Sequence, residues 1–492
     1  MTTESEPLLG ARPAVPPAAS ASLLPSRSPG LLWSRRGTLL AICVLKLAMT
    51  LSTTMVMLPM LRLMEDAVCH QERGDTSRGL LDEKLCKTGR VQARLGYLVG
   101  WQQVAEGVVS IVAAMPYGVL ADRVGRKPAL LSSWCGMTVG FAYMMAFLHF
   151  ARDKNLYFIL TGSLFQVFGG GLSVAFSAIY AVASDITTDQ DRAASFFYLS
   201  IAATLGGISG PPLAGRIMML YGPWMPIFLV FILSPPIILL ILLIPETLPR
   251  VAPGLHKGIL ARSRAALASS LRDTLPALRL LRDRNILLVM AVFFLQTPIY
   301  IAYSTIMVQY ISHHFAWPIA QTSYLFAPLG LLNICCLASL PRLTRMVRAR
   351  RPDMPAWCAD AGLARIALGL VSVGALVQAS AHNARMFIVG LVVGTFGSSN
   401  NPLARAVATH YVPRERTSQL MALIGIVETA GSFFGGPVLA MCFDVALRHK
   451  GWLMGLPYLY IAVLCCAVLV GLGYLRQPEE EAEDQNERRC ED

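Results

Sequence analysis

Long apolar runs alternate with short polar connections along this chain. Twelve runs stand out, at residues 37–61, 97–120, 128–150, 157–183, 195–218, 225–247, 286–311, 321–341, 359–380, 385–409, 417–443 and 453–474. A helix needs about 20 residues to cross the hydrocarbon core of a bilayer, and every run is that long. Backbone groups in lipid must satisfy one another, so helix is the expected state of each run. The pattern predicts an all-α membrane protein with twelve transmembrane helices. Two internal connections are long: residues 62–96 join the first two helices, and residues 248–285 join the sixth to the seventh. The latter linker divides the chain into an N-terminal six-helix bundle, 37–247, and a C-terminal one, 286–474. Residues 1–36, rich in Pro, Ser and Ala, and the acidic residues 475–492 have no apolar periodicity and are expected to be disordered cytosolic tails.

Composition supports the membrane reading. The chain is 54% hydrophobic and 15% charged, with a mean hydropathy of +0.53, whereas soluble domains carry about 25% charged residues. The net charge of +12 does not point to nucleic acid, because the basic residues sit in short loops between apolar runs. With the amino terminus inside, 26 Lys and Arg fall on the inner side and 12 on the outer side, Arg385 at the outer start of its run included, so both termini are expected in the cytosol. No cleavable leader pattern is visible, and the first apolar run is expected to act as an uncleaved anchor.

The most informative connection is the turn Gly118-Val119-Leu120-Ala121-Asp122-Arg123-Val124-Gly125-Arg126-Lys127, between the second and third helices. Gly118 allows close helix approach and Gly125 a sharp turn. Asp122 places a carboxylate among three cations. This turn resembles the signature of the major facilitator superfamily at the same place, and all of its positions are filled. The two halves also echo each other. Gly206-Gly207-Ile208-Ser209-Gly210-Pro211, then Gly222-Pro223-Trp224, is matched by Gly431-Ser432-Phe433-Phe434-Gly435-Gly436-Pro437, then Gly451-Trp452. The resemblance implies two pseudo-symmetric bundles with substrate held between them near the midplane. It also implies a cytoplasmic latch: Asp185, closing the fourth helix, would pair with Arg123 or Arg126, and Asp122 would face Thr417 and Ser418.

Within the fifth helix, Gly206, Gly210, Pro211 and Gly215 resemble the signature of drug:proton antiporters of this superfamily, with Ala214 in place of one glycine. That signature implies a kinked helix and export. The fourth helix departs from the antiporter pattern, since Leu160 to Gly170 keeps the glycines but holds no Arg. Four intramembrane charges need an account, because each costs about 2.5–3.5 kcal/mol at a helix centre. Glu106 and Glu428 are the candidate proton carriers, and Lys46 and Arg405 are candidate partners for them or for an anionic substrate. Each also admits a plain structural role as an ion pair or a snorkelling side chain. Gln166, Tyr300, Asn400 and Asn401 are candidate pocket residues, and Pro402 predicts a break in the tenth helix beside the two asparagines.

Cys69 and Cys86 share the first outer loop, where a disulfide is plausible. The remaining cysteines show no zinc spacing, and no metal or cofactor is expected. Glu4-Ser5-Glu6-Pro7-Leu8-Leu9 resembles an acidic dileucine signal for the vacuolar membrane; otherwise the plasma membrane is expected. Neither a phosphate-binding loop nor a hydrolase motif occurs, so an enzyme or primary pump has no support. Leu61 to Asp66 before Cys69 makes the chain most similar to fungal facilitators associated with export of metabolites or toxins. The resemblance implies a monomeric, proton-coupled exporter of small organic molecules. The alternatives are uptake of a nutrient or organic anion, proton-coupled or facilitative, and a non-transporting sensor with the same fold.

Overall fold

The computed structural model describes residues 34–75, 79–123, 125–151, 154–187, 189–247, 280–350, 355–412, 417–448 and 452–477. The sorting-like motif at Glu4, Leu8 and Leu9, most of the 248–285 linker and the acidic tail lie outside them. Among the described residues the structure is helical, without strands. The first half comprises α1 (Arg35–Arg73), α2 (Gly89–Arg123), α3 (Arg126–Phe150), α4 (Leu156–Ile186), α5 (Asp189–Tyr221) and α6 (Trp224–Leu243). The second comprises α7 (Arg284–His314), α8 (from Ile319 to Arg350), α9 (Ala356–Ala379), α10 (Ala384–Phe396 and Asn400–Thr409), α11 (Thr417–Arg448) and α12 (Leu456–Gly473). Nine of the described helices are long and apolar enough to cross a membrane. Outside that set are α2, which carries Gln102, Gln103 and Glu106, the glycine-rich α5, and the broken α10.

One boundary differs from the sequence reading. α1 runs past the expected end at 61 and stops at Arg73, where Gly74 adopts φ 65° and donates to the carbonyls of His70 and Gln71. A left-handed glycine is the usual helix terminator. The added turns stay helical despite Arg62, Glu65 and Asp66 because those side chains are buried against residues 80–92, while the buried His70 pairs with Asp66 one turn back.

The halves pack in the same way. α1 lies on α5 and α7 on α11 within each half; α2 meets α11 and α5 meets α8 between them. The fourth helix of each half is broken. In α4, a 3-10 stretch Leu156–Phe168 gives way at Gly169 and Gly170 to the helix Gly171–Ile186, with Gly170 at φ 78°. α10 is interrupted at 397–399, and Asn400 opens its second part. Non-helical backbone at membrane depth is tolerated where it is enclosed by protein or lines a cavity.

Small residues form the seam between halves. A Cβ on Gly100 would stand 3.1 Å from the Gly436 carbonyl oxygen, and one on Gly436 would stand 3.0 Å from that of Gly100. The fifth-helix glycines divide their work. Gly206 lies against Leu47, Thr50 and Leu51 of α1, where Thr54 donates to the Gly206 carbonyl at 3.1 Å; Gly210 lies against Thr54. Gly215 instead faces Ala320 and Ser323 of the other half. Helices in lipid gain from such close packing, since no hydrophobic drive separates protein from hydrocarbon. Gly100→Val and Gly436→Val are each expected to lower the thermal midpoint of the purified protein by the equivalent of about 1–3 kcal/mol of overpacking. The double variant should lose less than the sum, since both strain one contact. Additive losses, or wild-type midpoints, would refute this seam.

Candidate functional site

At one end of the rods the two halves are tied together, and the ties grow from the extended α1. A disulfide joins Cys69 to Cys86 and holds the 79–88 segment against the helix. Beneath it Glu65 is fully buried. It accepts hydrogen bonds from Lys87 Nζ at 2.5 Å and Gln92 Nε2 at 2.6 Å and pairs with Arg62 at 3.3 Å. Arg62 also donates to the Leu81 carbonyl, and Asp66 accepts the Leu81 N–H. A buried carboxylate survives only with such partners. Glu83 then reaches the second half: its Oε1 accepts from Ser312 Oγ at 3.1 Å and from the Ile319 N–H at 2.9 Å, while Lys87 pairs with it at 3.0 Å. Nearby, the Tyr97 hydroxyl donates to Asp444, which Arg448 also holds. Seam contacts continue inward from this end at Gly96 beside Ala440 and Phe443, and at Gly107 beside Ser432.

The opposite end carries the charged turn between α2 and α3. Arg126 Nε lies 3.4 Å from Asp185, which also accepts from the Thr247 hydroxyl at 2.9 Å. The N–H groups of Arg126 and Lys127 donate to the two oxygens of Glu246 at 2.9 and 3.1 Å, and Lys127 Nζ donates to the Leu242 carbonyl. Gly125, at φ 131°, sits against that same carboxylate. Thus Glu246 caps the first turn of α3, where helix N–H groups lack internal partners. The side chains of Asp122, Arg123, Thr417 and Ser418, and the surroundings of Gly118, fall outside the described residues. The second half has its own cluster: Asp360 of α9 meets Arg348 of α8 at 3.1 Å and His410 at the end of α10 at 3.2 Å.

Between the two ends lie two cavities. The first, of about 340 Å³, is lined mainly by α1, α2, α3, α4 and α6, with Thr305 of α7 at its edge; Glu106 and Gln166 line it. The second, of about 460 Å³, lies between α5 and the helices α7, α8 and α10 and is lined by Gln296, Tyr300, Asn333, Ser398 and Asn400. Both fall within the size range of small-molecule sites.

The four intramembrane charges meet different fates. Arg405 and Glu428 form an ion pair at 2.8 Å. Asn401 joins them, accepting from Arg405 Nε at 2.9 Å and donating to Glu428 at 3.4 Å, and Arg405 also lies over the Phe293 ring. Lys46 is 2% exposed and has no carboxylate within ion-pair distance among the described residues. Its Nζ rests 2.8 Å from the Phe176 ring centroid and 5.3 Å from that of Tyr180. The negative face of an aromatic ring is a partial substitute for a counter-ion. Glu106 accepts from Gln102 at 2.9 Å and likewise has no cation within ion-pair distance among the described residues. No group of three metal-ligating side chains occurs among them. Glu65 and Glu83 escaped the functional reading of the sequence because they lie in the polar 62–96 connection, and Glu246 and Asp360 because they sit at the ends of apolar runs, where an acid looks like a solvated helix end. For Glu246 alone, the Pro-Glu-Thr ending the sixth run gave a local signal.

The profile of the Major Facilitator Superfamily matches residues 40–354 and 361–489. The chain is similar to the MFS efflux pump atnC of Emericella nidulans, 28% identical over 461 residues, covering 88% of this chain and 87% of that protein. It is similar also to the MFS-type transporter aprT of Aspergillus flavus, 25% identical, covering 90% and 89% respectively. Among solved structures it resembles the human organic anion transporter MFSD10, with a TM-score of 0.56 and 19% identity over 89% of this chain and 99% of that one. It also resembles the nucleoside transporter NupG, with a TM-score of 0.58 and 14% identity over 87% of this chain and all of that one.

The staple across the disulfide end makes a measurable claim. Cys69 and Cys86 are 17 residues apart, and closing a loop of that length stabilises a fold by about 3 kcal/mol. Replacing both cysteines by serine is expected to lower the thermal midpoint. Dithiothreitol should lower it equally in the wild type and leave the double variant unmoved. A wild type indifferent to reductant would contradict the staple.

Proposed function

The chain belongs to the major facilitator superfamily of multi-pass membrane transporters, and we propose that this member exports a small organic molecule in exchange for protons, by alternating access. The observation that carries the direction is similarity over nearly the whole chain to a protein named as an efflux pump. The halves touch from the disulfide end inward, through Glu83, Tyr97 and the glycine seam, which is the arrangement of a carrier closed on one side. On this reading the disulfide end faces outside, both termini are cytosolic, and the Arg126–Asp185 end is the cytoplasmic latch. Gly206, Gly210 and Pro211 bend α5 along α1, and Gly215 lets α5 meet α8. The protein works as a monomer in the plasma membrane, or in the vacuolar membrane if Glu4, Leu8 and Leu9 act as a sorting signal, and it performs no covalent chemistry.

Glu428 and Glu106 are the proton carriers of this scheme. Protonation of Glu428 releases Arg405, and an unpaired cation in a low-dielectric site favours a rearrangement that pairs it again. A second reading draws on Lys46, a buried cation without a carboxylate partner among the described residues: it favours uptake of an organic anion.

The test is accumulation of a panel of labelled organic compounds in cells expressing the chain, with and without a protonophore. Export predicts lowered accumulation that the protonophore restores. Raised accumulation would overturn export in favour of the anion reading. Glu428→Gln should reach the membrane in normal amount yet lose transport driven by the pH gradient, and an unchanged dependence on the gradient would remove Glu428 from the mechanism.

A further inference from the structure

The cavity of the first half has a chemistry that selects its ligand. Among the described residues Glu106 is the one ionisable side chain lining it, with no Lys, Arg, His or Asp beside it. The carboxylate has a single hydrogen-bond partner among the described residues, Gln102, whose Nε2 donates to it at 2.9 Å. That bond commits the amide's donor end and leaves its carbonyl end over. Gln102 is 7% exposed, and its Oε1 has no hydrogen-bond partner. The surplus at this point of the wall is therefore acceptor capacity and negative charge. An ionised carboxylate in apolar surroundings without a cation is expensive, so it takes up either a proton, as in the scheme above, or a positive charge brought by a ligand, and the two compete for it.

The rest of the wall suits an apolar body. Five methionines line the cavity, Met57, Met60, Met64, Met137 and Met144, and Phe141 and Phe231 add aromatic faces. Thioethers are polarizable and flexible, and they accommodate ligands of varied outline. Aromatic faces attract cations as well as apolar rings. The second cavity differs: among the described residues its polar lining, which includes Gln296, Tyr300, Asn333, Ser398 and Asn400, holds no carboxylate and no Lys, Arg or His.

We propose that the first cavity is a binding site for lipophilic organic cations, an apolar or aromatic body bearing one positive charge, with Glu106 as the counter-ion and Gln102 holding that carboxylate in place. The site rests on the transport reading above and assigns one class of its cargo.

The test uses two probes of the same shape and opposite charge, tetraphenylphosphonium and tetraphenylborate, in equilibrium binding to the purified full-length protein in lipid nanodiscs. The phosphonium is expected to bind more tightly than the borate, by roughly tenfold or more, a difference of about 1.4 kcal/mol per decade. Glu106→Gln should weaken the phosphonium by at least about the same factor and leave the borate unchanged, whereas Glu106→Asp should retain most of the phosphonium binding. Equal or tighter binding of the borate overturns the proposal. So does undiminished phosphonium binding by a Glu106→Gln protein that remains monodisperse. Failure of the transport reading looks different: the phosphonium binds through Glu106, yet cells expressing the chain export neither it nor any other compound.

Discussion

A charge surrounded by hydrocarbon must be paired, neutralised or lent a partner, and that constraint bears on each charged group considered inside this protein. Glu65 meets it with Arg62, Lys87 and Gln92. Glu428 meets it with Arg405 and Asn401. Lys46 meets it partly, with two aromatic rings, and Glu106 has one neutral amide. The order of that series separates structure from function. A fully enclosed network is a fastening. The Arg405–Glu428 pair, between α10 and α11 beside a break in α10, is only partly buried, unlike the enclosed Glu65. A carboxylate in a cavity, short of a cation, is the group most in need of something the fold does not supply.

The second constraint is close backbone approach. Gly100 against Gly436 and Gly215 against Ser323 bring the halves together without bulky side chains. A seam of small residues opens without having to unthread interlocked side chains, which suits two bundles that rock. Specific hold is then left to polar contacts near the end of the seam, and Glu83 provides it by linking the stapled 79–88 segment to the start of α8. The disulfide and the buried Glu65 network hold that segment in place for Glu83 to bridge the halves, beside the Tyr97–Asp444 contact.

Much of the fold was legible in the chain because lipid leaves few options: an apolar run of sufficient length becomes a helix. The family was legible in one charged turn, of which the structure shows Gly125, Arg126 and Lys127 gathered on Glu246 and Asp185. The grouping of Asn401, Arg405 and Glu428 was half legible: each was singled out by being polar in an apolar run, while their mutual contact depends on the rotation of α10 against α11. What could not be read is instructive. α1 continues beyond its apolar run because its polar turns are buried against a loop, and hydropathy cannot foresee a loop that acts as a core. Glu83, Glu246 and Asp360 look like solvated acids until tertiary structure sets a helix terminus or a cation beside each. Gln102 gains its meaning only from the carboxylate one turn away and the cavity in front of it.

The central claim is that this carrier exchanges protons for an organic molecule. It is tested most directly by reconstituting the purified chain into liposomes with a pH-sensitive dye trapped inside, and adding an exported compound identified in cells to one side. Exchange predicts that the compound moves protons in the opposite direction, at a rate that scales with its concentration and vanishes in liposomes lacking the protein. Compound flux with no change in the dye signal would contradict proton exchange and leave a facilitative carrier in its place.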